Sequence, residues 1–387
     1  MVSPSFEAAQ KWAAMDLNPT TATHTLDLVA KASVASETDG TLASAAMASL
    51  ESLFPHDEAQ RIGFGTAGLR SEMKPGPLGM NDLTVCQAAQ GLASYCVKKQ
   101  QLQLLQQNNS LGTKPKKLCA VVGYDHRRHP TLNISSLSFA ILTALVFAEA
   151  GIDCLLLHNF VMTPLVPFAV KKLGGAVCGV MVTASHNPKQ DNGYKVYDSD
   201  SCQIRSPTDE AIASEIKNNL EPWKDYRSIL EERKKLYPND PCLGLSNPIA
   251  TEELLGDYFA ELENSCLHTR SSSAATIIEA TMPADKMTPP TFAYTAMHGV
   301  GHPFAKRAFE VFGIAPFEVV PEQRDPDPSF PTGRSNLRFV SWLFCFWKLR
   351  ARICLVPCFK SHLVPVGTIF ILSLSFFSLL DSSFHLH

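Results

Sequence analysis

The stretch AVCGVMVTASHNPKQDNGYKVY, residues 176–197, sets the architecture of this chain. Ala176 to Thr183 are small or apolar without polar alternation, the pattern of a strand buried on both faces. Ser185-His186-Asn187-Pro188 stops that strand, because Ser and Asn bond their own backbone and Pro presets a turn. Asn192-Gly193 is a tight-hairpin pair, so the sequence predicts a turn there and a returning strand from Tyr194 to Tyr197, with Lys195 directed back towards Ser185. Ser185 thus stands where a strand ends in a loop, the rim at which open α/β sheets bind ligands. A hydroxyl among His186, Lys189 and Lys195 suits a phosphate, since nearby cations stabilise a phosphoryl group in transfer. Ordinary turn chemistry accounts for the same residues, and both readings stand at this point.

Outward from this stretch the chain alternates. Leu118 to Tyr124 reads as a parallel strand, Leu132 to Ala150 as a helix, Ile152 to Leu157 as a strand and Pro164 to Leu173 as a helix. That order predicts an α/β fold: a mixed, mostly parallel sheet with helices on both faces. Right-handed crossovers bring the strand ends to one edge, so Asp125-His126-Arg127-Arg128, just past Tyr124, falls near Ser185. Upstream, Asn81 to Leu105 carries the apolar stripe of a long helix, followed by a polar loop from 106 to 117. Before it, residues 61–70 read RIGFGTAGLR. Glycines so closely spaced turn sharply or let a backbone approach a phosphate, and Arg70 can grip one with two parallel hydrogen bonds. A plain tight turn explains the glycines equally well.

Residues 183–197, TASHNPKQDNGYKVY, resemble the phosphoserine loop of the α-D-phosphohexomutases, most closely the phosphoglucomutase/phosphopentomutase branch. Gly65-Thr66-Ala67-Gly68-Leu69-Arg70 resembles the first active-site loop of that family, and Gly123-Tyr124-Asp125-His126-Arg127 its Gly-x-Asp-x-Arg segment. The resemblance implies a sugar-phosphate mutase in which phospho-Ser185 donates to substrate, a bisphosphate intermediate reorients, and the serine recovers a phosphate. It assigns catalysis to Ser185, Lys195, Arg70 and His186, with Lys195 and Arg70 shuttling protons. It assigns phosphate and substrate binding to Thr66, Arg70, Ser185, His186, Asn187, Lys189 and Arg127, the last either orienting phosphate or standing behind the residues that touch it, while Asp125 is expected to hold an arginine. Implied ligands are glucose 1-phosphate, ribose 1-phosphate or deoxyribose 1-phosphate, with glucose 1,6-bisphosphate or an equivalent as activator. The family's Mg2+ sits on three aspartates of an Asp-x-Asp-x-Asp-Arg loop and on the phosphoserine. That aspartate loop is not in this sequence, which leaves Ser185, through its phosphate, as the metal contact.

The rest of the chain divides around this core. Residues 1–60 read as two or three helices broken at Asn18-Pro19, an N-terminal helical cover; 61–220 as domain I with the phosphoserine loop; and 221–247 as a linker with a short charged helix. A partial, incomplete second α/β domain is expected within 221–332, with a helix from Thr251 to about Cys266 and a strand from Phe292 to Thr295. After that strand come Ala296-Met297-His298-Gly299-Val300-Gly301-His302, where the family branch also carries His-Gly-Val-Gly-His and where His298 is expected to be structural. The resemblance ends at Thr332. Residues 333–387 hold one acidic residue, Asp381, and form an apolar tail unlike a soluble domain. Leu363 to Leu380 reaches the length of a membrane span, but serines interrupt it and no span is expected.

Bulk properties narrow the function. A net charge of -3 gives no nucleic-acid footprint. The eleven cysteines lack paired metal spacing, which predicts reduced thiols, and Met1 to Pro19 lacks the pattern of a signal peptide; both point to the cytoplasm. Two functions follow: a mutase impaired by a missing metal loop and missing third and fourth domains, or a non-catalytic truncated remnant that binds sugar phosphate or an intact homologue.

Overall fold

The computed structural model describes residues 4–33, 40–55 (backbone only at 40–42), 60–106, 117–265 and 292–332, with the backbone of 370–372. The polar loop expected between 106 and 117, and the apolar tail with its Leu363–Leu380 run, fall almost wholly outside them. Two compact units divide the chain, Met1–Pro248 and Ile249–His387.

The first unit is built on a six-stranded sheet of β1 (Leu69–Glu72), β2 (Cys119–Tyr124), β3 (Asp153–Leu157), β4 (Ala176–Val182), β5 (Asp191–Asp198) and β6 (Ser246–Asn247). Their spatial order is β1-β5-β4-β2-β3-β6. β4, β2, β3 and β6 run parallel, and β5 and β1 are antiparallel to their neighbours. The mixed, mostly parallel sheet expected from the sequence is therefore the observed one. The helix α5 (Ser136–Glu149) packs on β2 and β3, and α6 (Leu165–Leu173) on β2 and β4. Phe139, Phe147, Val122, Val180, Val182 and Tyr194 fill one continuous core. α5 begins four residues later than its apolar pattern suggests, because Ser135 and Ser138 close a capping box that ends the loop and starts the helix. The long helix α4 (Asp82–Gln106) lies against α5 and α7 (Thr208–Lys217).

Three N-terminal helices, α1 (Pro4–Met15), α2 (Pro19–Ser33) and α3 (Gly40–Leu53), bury Ala9, Trp12, Val29, Leu50 and Phe54 with Leu83 of α4. Asn18 anchors them: its side-chain amide donates to Asp82 Oδ2 at 3.0 Å and to the Leu132 and Asn133 carbonyls at 3.1 Å.

The segment read as a linker is part of this unit. Its helix α8 (Tyr226–Leu236) buries Tyr226 in the main core, with Cys242 and Leu243 beyond it, and β6 adds the last strand beside β3. Its charged residues face solvent, while a few apolar ones bury; composition averaged over the segment hides them.

The second unit contains α9 (Pro248–Ser265), β7 (Phe292–Tyr294), α10 (His302–Val311), β8 (Glu318–Val319) and β9 (Phe370–Leu372). β8 and β9 flank β7 in parallel. Tyr294, Ala296 and Ala305 form its small core with Phe317 and Val319.

Candidate active site

The loop Ala184–Gln190 reverses the chain between β4 and β5. The Asn187 N–H donates to the Ala184 carbonyl and the Asp191 N–H to the Pro188 carbonyl, both at 3.0 Å, so the turn is made by Ser185 to Gln190. Asn192-Gly193, expected as the turn, lies inside β5 instead. Gly193 is there for packing: a Cβ would stand 2.6 Å from the Thr183 carbonyl oxygen, so only glycine lets the strands approach. Asn192 is fully buried and donates to Ser136 Oγ at 3.0 Å.

Ser185 is exposed and held at φ 51°, a left-handed conformation that a residue with a Cβ adopts only where its surroundings enforce it. Lys195, on β5 opposite Met181, donates from Nζ to Ser185 Oγ at 3.0 Å. The expected return of that lysine to the serine is thus observed, although the turn responsible is a different one.

Arg70 reaches the same loop from the far side of β5. No sequence pattern marks β1, whose four residues carry a single buried side chain, Leu69. β1 pairs with β5 so that Arg70 lies opposite Gly193, exposed, with Nη1 3.4 Å from Asn187 Oδ1. Gly68, at φ 70°, makes the turn into β1; a Cβ there would overlap the Tyr194 carbonyl oxygen at 1.9 Å. Thr66 sits on that turn with its carbonyl bonded to Gln203 Nε2 at 2.8 Å. His186 and Lys189 occupy the exposed part of the serine loop.

Of the two places expected for Arg127, contact with phosphate and support from behind the contacting residues, it takes the second. It is 2% exposed and lies beneath the loop. Nη1 donates to the carbonyls of Pro188 (2.7 Å) and Asp191 (2.9 Å), and Nη2 to those of Ser185 (2.8 Å) and Asn187 (2.9 Å). A guanidinium whose terminal donors are spent on four carbonyls is a strut and not a phosphate clamp. Its Nε lies 3.4 Å from Asp125 Oδ2, the pairing expected of Asp125. Burial pulls the guanidinium below its ordinary pKa, and the charges of Asp125 and Asp191 oppose that shift.

Two residues that sequence reasoning missed complete this floor. Ser136 Oγ donates to Asp125 Oδ1 at 2.5 Å and Thr183 Oγ1 to Asp125 Oδ2 at 2.6 Å; Thr183 Oγ1 in turn accepts the Ser185 N–H at 3.0 Å. Both are small hydroxyl residues beside a strand or helix end, a placement that carries no sequence signal of its own.

Among the described residues, the acidic side chains near Ser185 do not fit a magnesium site. Among the described residues no three His, Cys, Asp or Glu side chains converge as a metal centre. Both Asp125 oxygens accept hydrogen bonds, and Asp191 Oδ2 accepts from Asn187 at 3.0 Å. In the second unit His298, 3% exposed, has Nε2 2.7 Å from Thr332 Oγ1, consistent with a structural residue. The cysteines among the described residues are free thiols, and no described helix is long and apolar enough to cross a membrane.

Residues 61–223 match the family profile described as "Phosphoglucomutase/phosphomannomutase, alpha/beta/alpha domain I", and residues 272–343 match its domain II, which runs past Thr332 where the resemblance was expected to end. The human protein "Phosphopentomutase" is 42% identical over 273 residues, 70% of this chain and 39% of its own length. "Phosphoribomutase" of Saccharomyces cerevisiae is 41% identical over 279 residues, again 70% and 39%. Human "Glucose 1,6-bisphosphate synthase" is 38% identical over 273 residues, 70% and 38%. The chain thus spans about two fifths of the length of the curated relatives it matches. Together with a serine presented at the carboxyl rim of a mostly parallel sheet, these matches make the chain a member of the phosphoglucomutase/phosphomannomutase family.

Proposed function

We propose that this chain carries the phosphoryl-transfer loop of a cytoplasmic sugar-phosphate mutase, with Ser185 as the carrier and pentose or hexose monophosphates as substrates. The supporting observation is the exposed Ser185 hydroxyl, fixed in a strained backbone and hydrogen-bonded by Lys195 at 3.0 Å. In the forward step the phosphorus–Oγ bond of phospho-Ser185 breaks as a sugar hydroxyl oxygen bonds to phosphorus. The sugar hydroxyl gives its proton to solvent, which returns one to the sugar oxygen that leaves in the reverse step, and Oγ, on leaving, takes one from Lys195. Reversal on the turned-around bisphosphate returns a phosphate to Oγ and the proton to Lys195. As a cation, Lys195 also stabilises the charge that accumulates on Oγ.

Arg70, the exposed His186 and Lys189, and the half-buried Asn187 border the serine and are the groups offered to a sugar phosphate. Phosphoserine brings about -1.5 to -2 charges at neutral pH, which these cations balance. The names of the relatives favour pentose phosphates or a glucose bisphosphate as the sugar class.

The test is phosphate uptake by the purified 387-residue chain from glucose 1,6-bisphosphate, read by mass spectrometry at Ser185, beside a coupled assay with ribose 1-phosphate and glucose 1-phosphate. Uptake that Ser185→Ala abolishes supports the carrier role; equal uptake in the variant overturns it. Phosphate on Ser185 without turnover would favour the non-catalytic reading.

A further inference from the structure

Ser185 is strained, and the bond of its own loop that spans it, Asn187 N–H to the Ala184 carbonyl at 3.0 Å, leaves the N–H and carbonyl of Ser185 to other partners. Its two backbone polar groups are held by side chains from outside the loop: Thr183 Oγ1 accepts its N–H at 3.0 Å, and Arg127 Nη2 donates to its carbonyl at 2.8 Å. Both side chains meet at one oxygen, Asp125 Oδ2, with Thr183 donating at 2.6 Å and Arg127 Nε 3.4 Å away as its ion-pair partner. The other carboxylate oxygen is occupied by Ser136 Oγ and the Arg127 N–H, at 2.5 and 3.0 Å. Asp125 is itself fixed to β4, since its N–H donates to the Val182 carbonyl at 3.1 Å.

The geometry points to Asp125 as the positioning residue of the carrier serine, acting through Thr183 and Arg127 to hold Ser185 in its left-handed conformation with its hydroxyl against Lys195. The inference rests on Ser185 being the carrier, and it adds that the loop is formed before any phosphate arrives. The carboxylate and guanidinium are both buried and compensate each other, so the pair is rigid. Three loop carbonyls and that of Asp191, the first residue of β5, converge on one guanidinium, which ties Ser185 to the strand that follows the loop. Lysine cannot replace this arginine, because a single ammonium has neither the reach nor the fork to serve four acceptors in a plane.

Two readouts on the full 387-residue chain test the inference. The first is amide hydrogen exchange and needs no catalysis. In Arg127→Lys and Thr183→Val the amides of Ser185, Asn187 and Asp191 are expected to exchange about tenfold faster or more, while those of Val121 and Val180 in the central strands stay within about twofold. Loop protection equal to wild type in both variants overturns the inference. So does loss spread evenly over β2 and β4, which would make the cluster part of the general core. Thr183→Val leaves the ion pair in place, so it still reports if Arg127→Lys does not fold.

The second readout is the rate of Ser185 phosphorylation by glucose 1,6-bisphosphate. In Asp125→Asn and Arg127→Ala the rate at saturating donor is expected to fall about tenfold or more with the half-saturating concentration within about twofold, and millimolar guanidinium restores Arg127→Ala where methylammonium does not. A changed half-saturation with an unchanged maximal rate overturns positioning in favour of phosphate binding. If the wild-type chain takes up no phosphate the carrier reading fails, and the exchange experiment alone then decides whether Asp125 fixes the loop.

Discussion

Several of the described loops beyond parallel strands hold non-glycine residues at positive φ, and two of them contrast: Ser185 at 51° beyond β4, and Met297 and His298 at 51° and 60° beyond β7. Beneath the first lies a buried ion pair that satisfies the loop's carbonyls, so the strained residue is free to present its own polar atom outwards. In the second, the strained residue is itself the anchor. His298 turns inwards: its N–H donates to the Gln323 carbonyl at 3.0 Å, its Nε2 accepts from the Thr332 N–H at 3.3 Å and lies 2.7 Å from Thr332 Oγ1, and that hydroxyl accepts from Gln323 Nε2 at 2.7 Å. Backbone strain at a strand end therefore does not identify a reacting group. What distinguishes the two is whether the strained side chain is spent on the fold or left exposed by a framework beneath it.

The largest expected effect tests the support of the first loop. Gly193→Ala puts a methyl 2.6 Å from the Thr183 carbonyl oxygen and 3.3 Å from that of Leu69, between three strands. It is expected to cost the first unit about 3 kcal/mol, with the strands forced apart. Urea unfolding measures this, and a loss under about 1 kcal/mol would mean that the loop does not depend on so close an approach.

Next in size is the release of strain in each loop. Ser185→Gly and Met297→Gly should each gain about 0.5–1 kcal/mol, the relief of positive φ less the added entropy of the unfolded chain. The two should part on function: Ser185→Gly ends phosphate uptake and Met297→Gly leaves it intact. Equal loss of uptake in both would erase the contrast between the loops.

The smallest effect is a pH dependence confined to the second loop. Burial holds the His298 imidazolium below its ordinary pKa, with Asp327 opposing. A depressed folded pKa means that the contribution of His298 is present above the unfolded value, about 6.5, and is lost as the pH falls through the folded one. After correction for intrinsic rates, amide exchange at His298 and Gly299 should rise between pH 7 and pH 5, and His298→Gln should flatten that rise. A flat wild-type profile would show that the imidazole does not anchor its loop through its neutral form.

Much of the scaffold was legible in the sequence because it is written in local pattern. Uninterrupted apolar runs marked β2 and β4, periodic stripes marked α4 to α6, and the stop at Ser185-His186-Asn187-Pro188 put the serine at the sheet rim. β1 escaped notice because four residues with one buried side chain carry no period, and α8 with β6 were lost in a charged segment whose few apolar residues bury.

By itself the sequence determined which residues are available for chemistry and at which strand end they stand, since alternation, turn residues and motif spacing are properties of the chain alone. Only the tertiary structure decided what each of them does. Asn192-Gly193 has every local feature of a turn, yet a neighbouring carbonyl makes it a point of close strand approach. Arg127 and Arg70 are alike as letters, yet one lies under the loop with its donors consumed by carbonyls and the other stands exposed beside Asn187. The role of an arginine follows from where its five donors end, and contacts 58 to 64 residues apart fix that for Arg127.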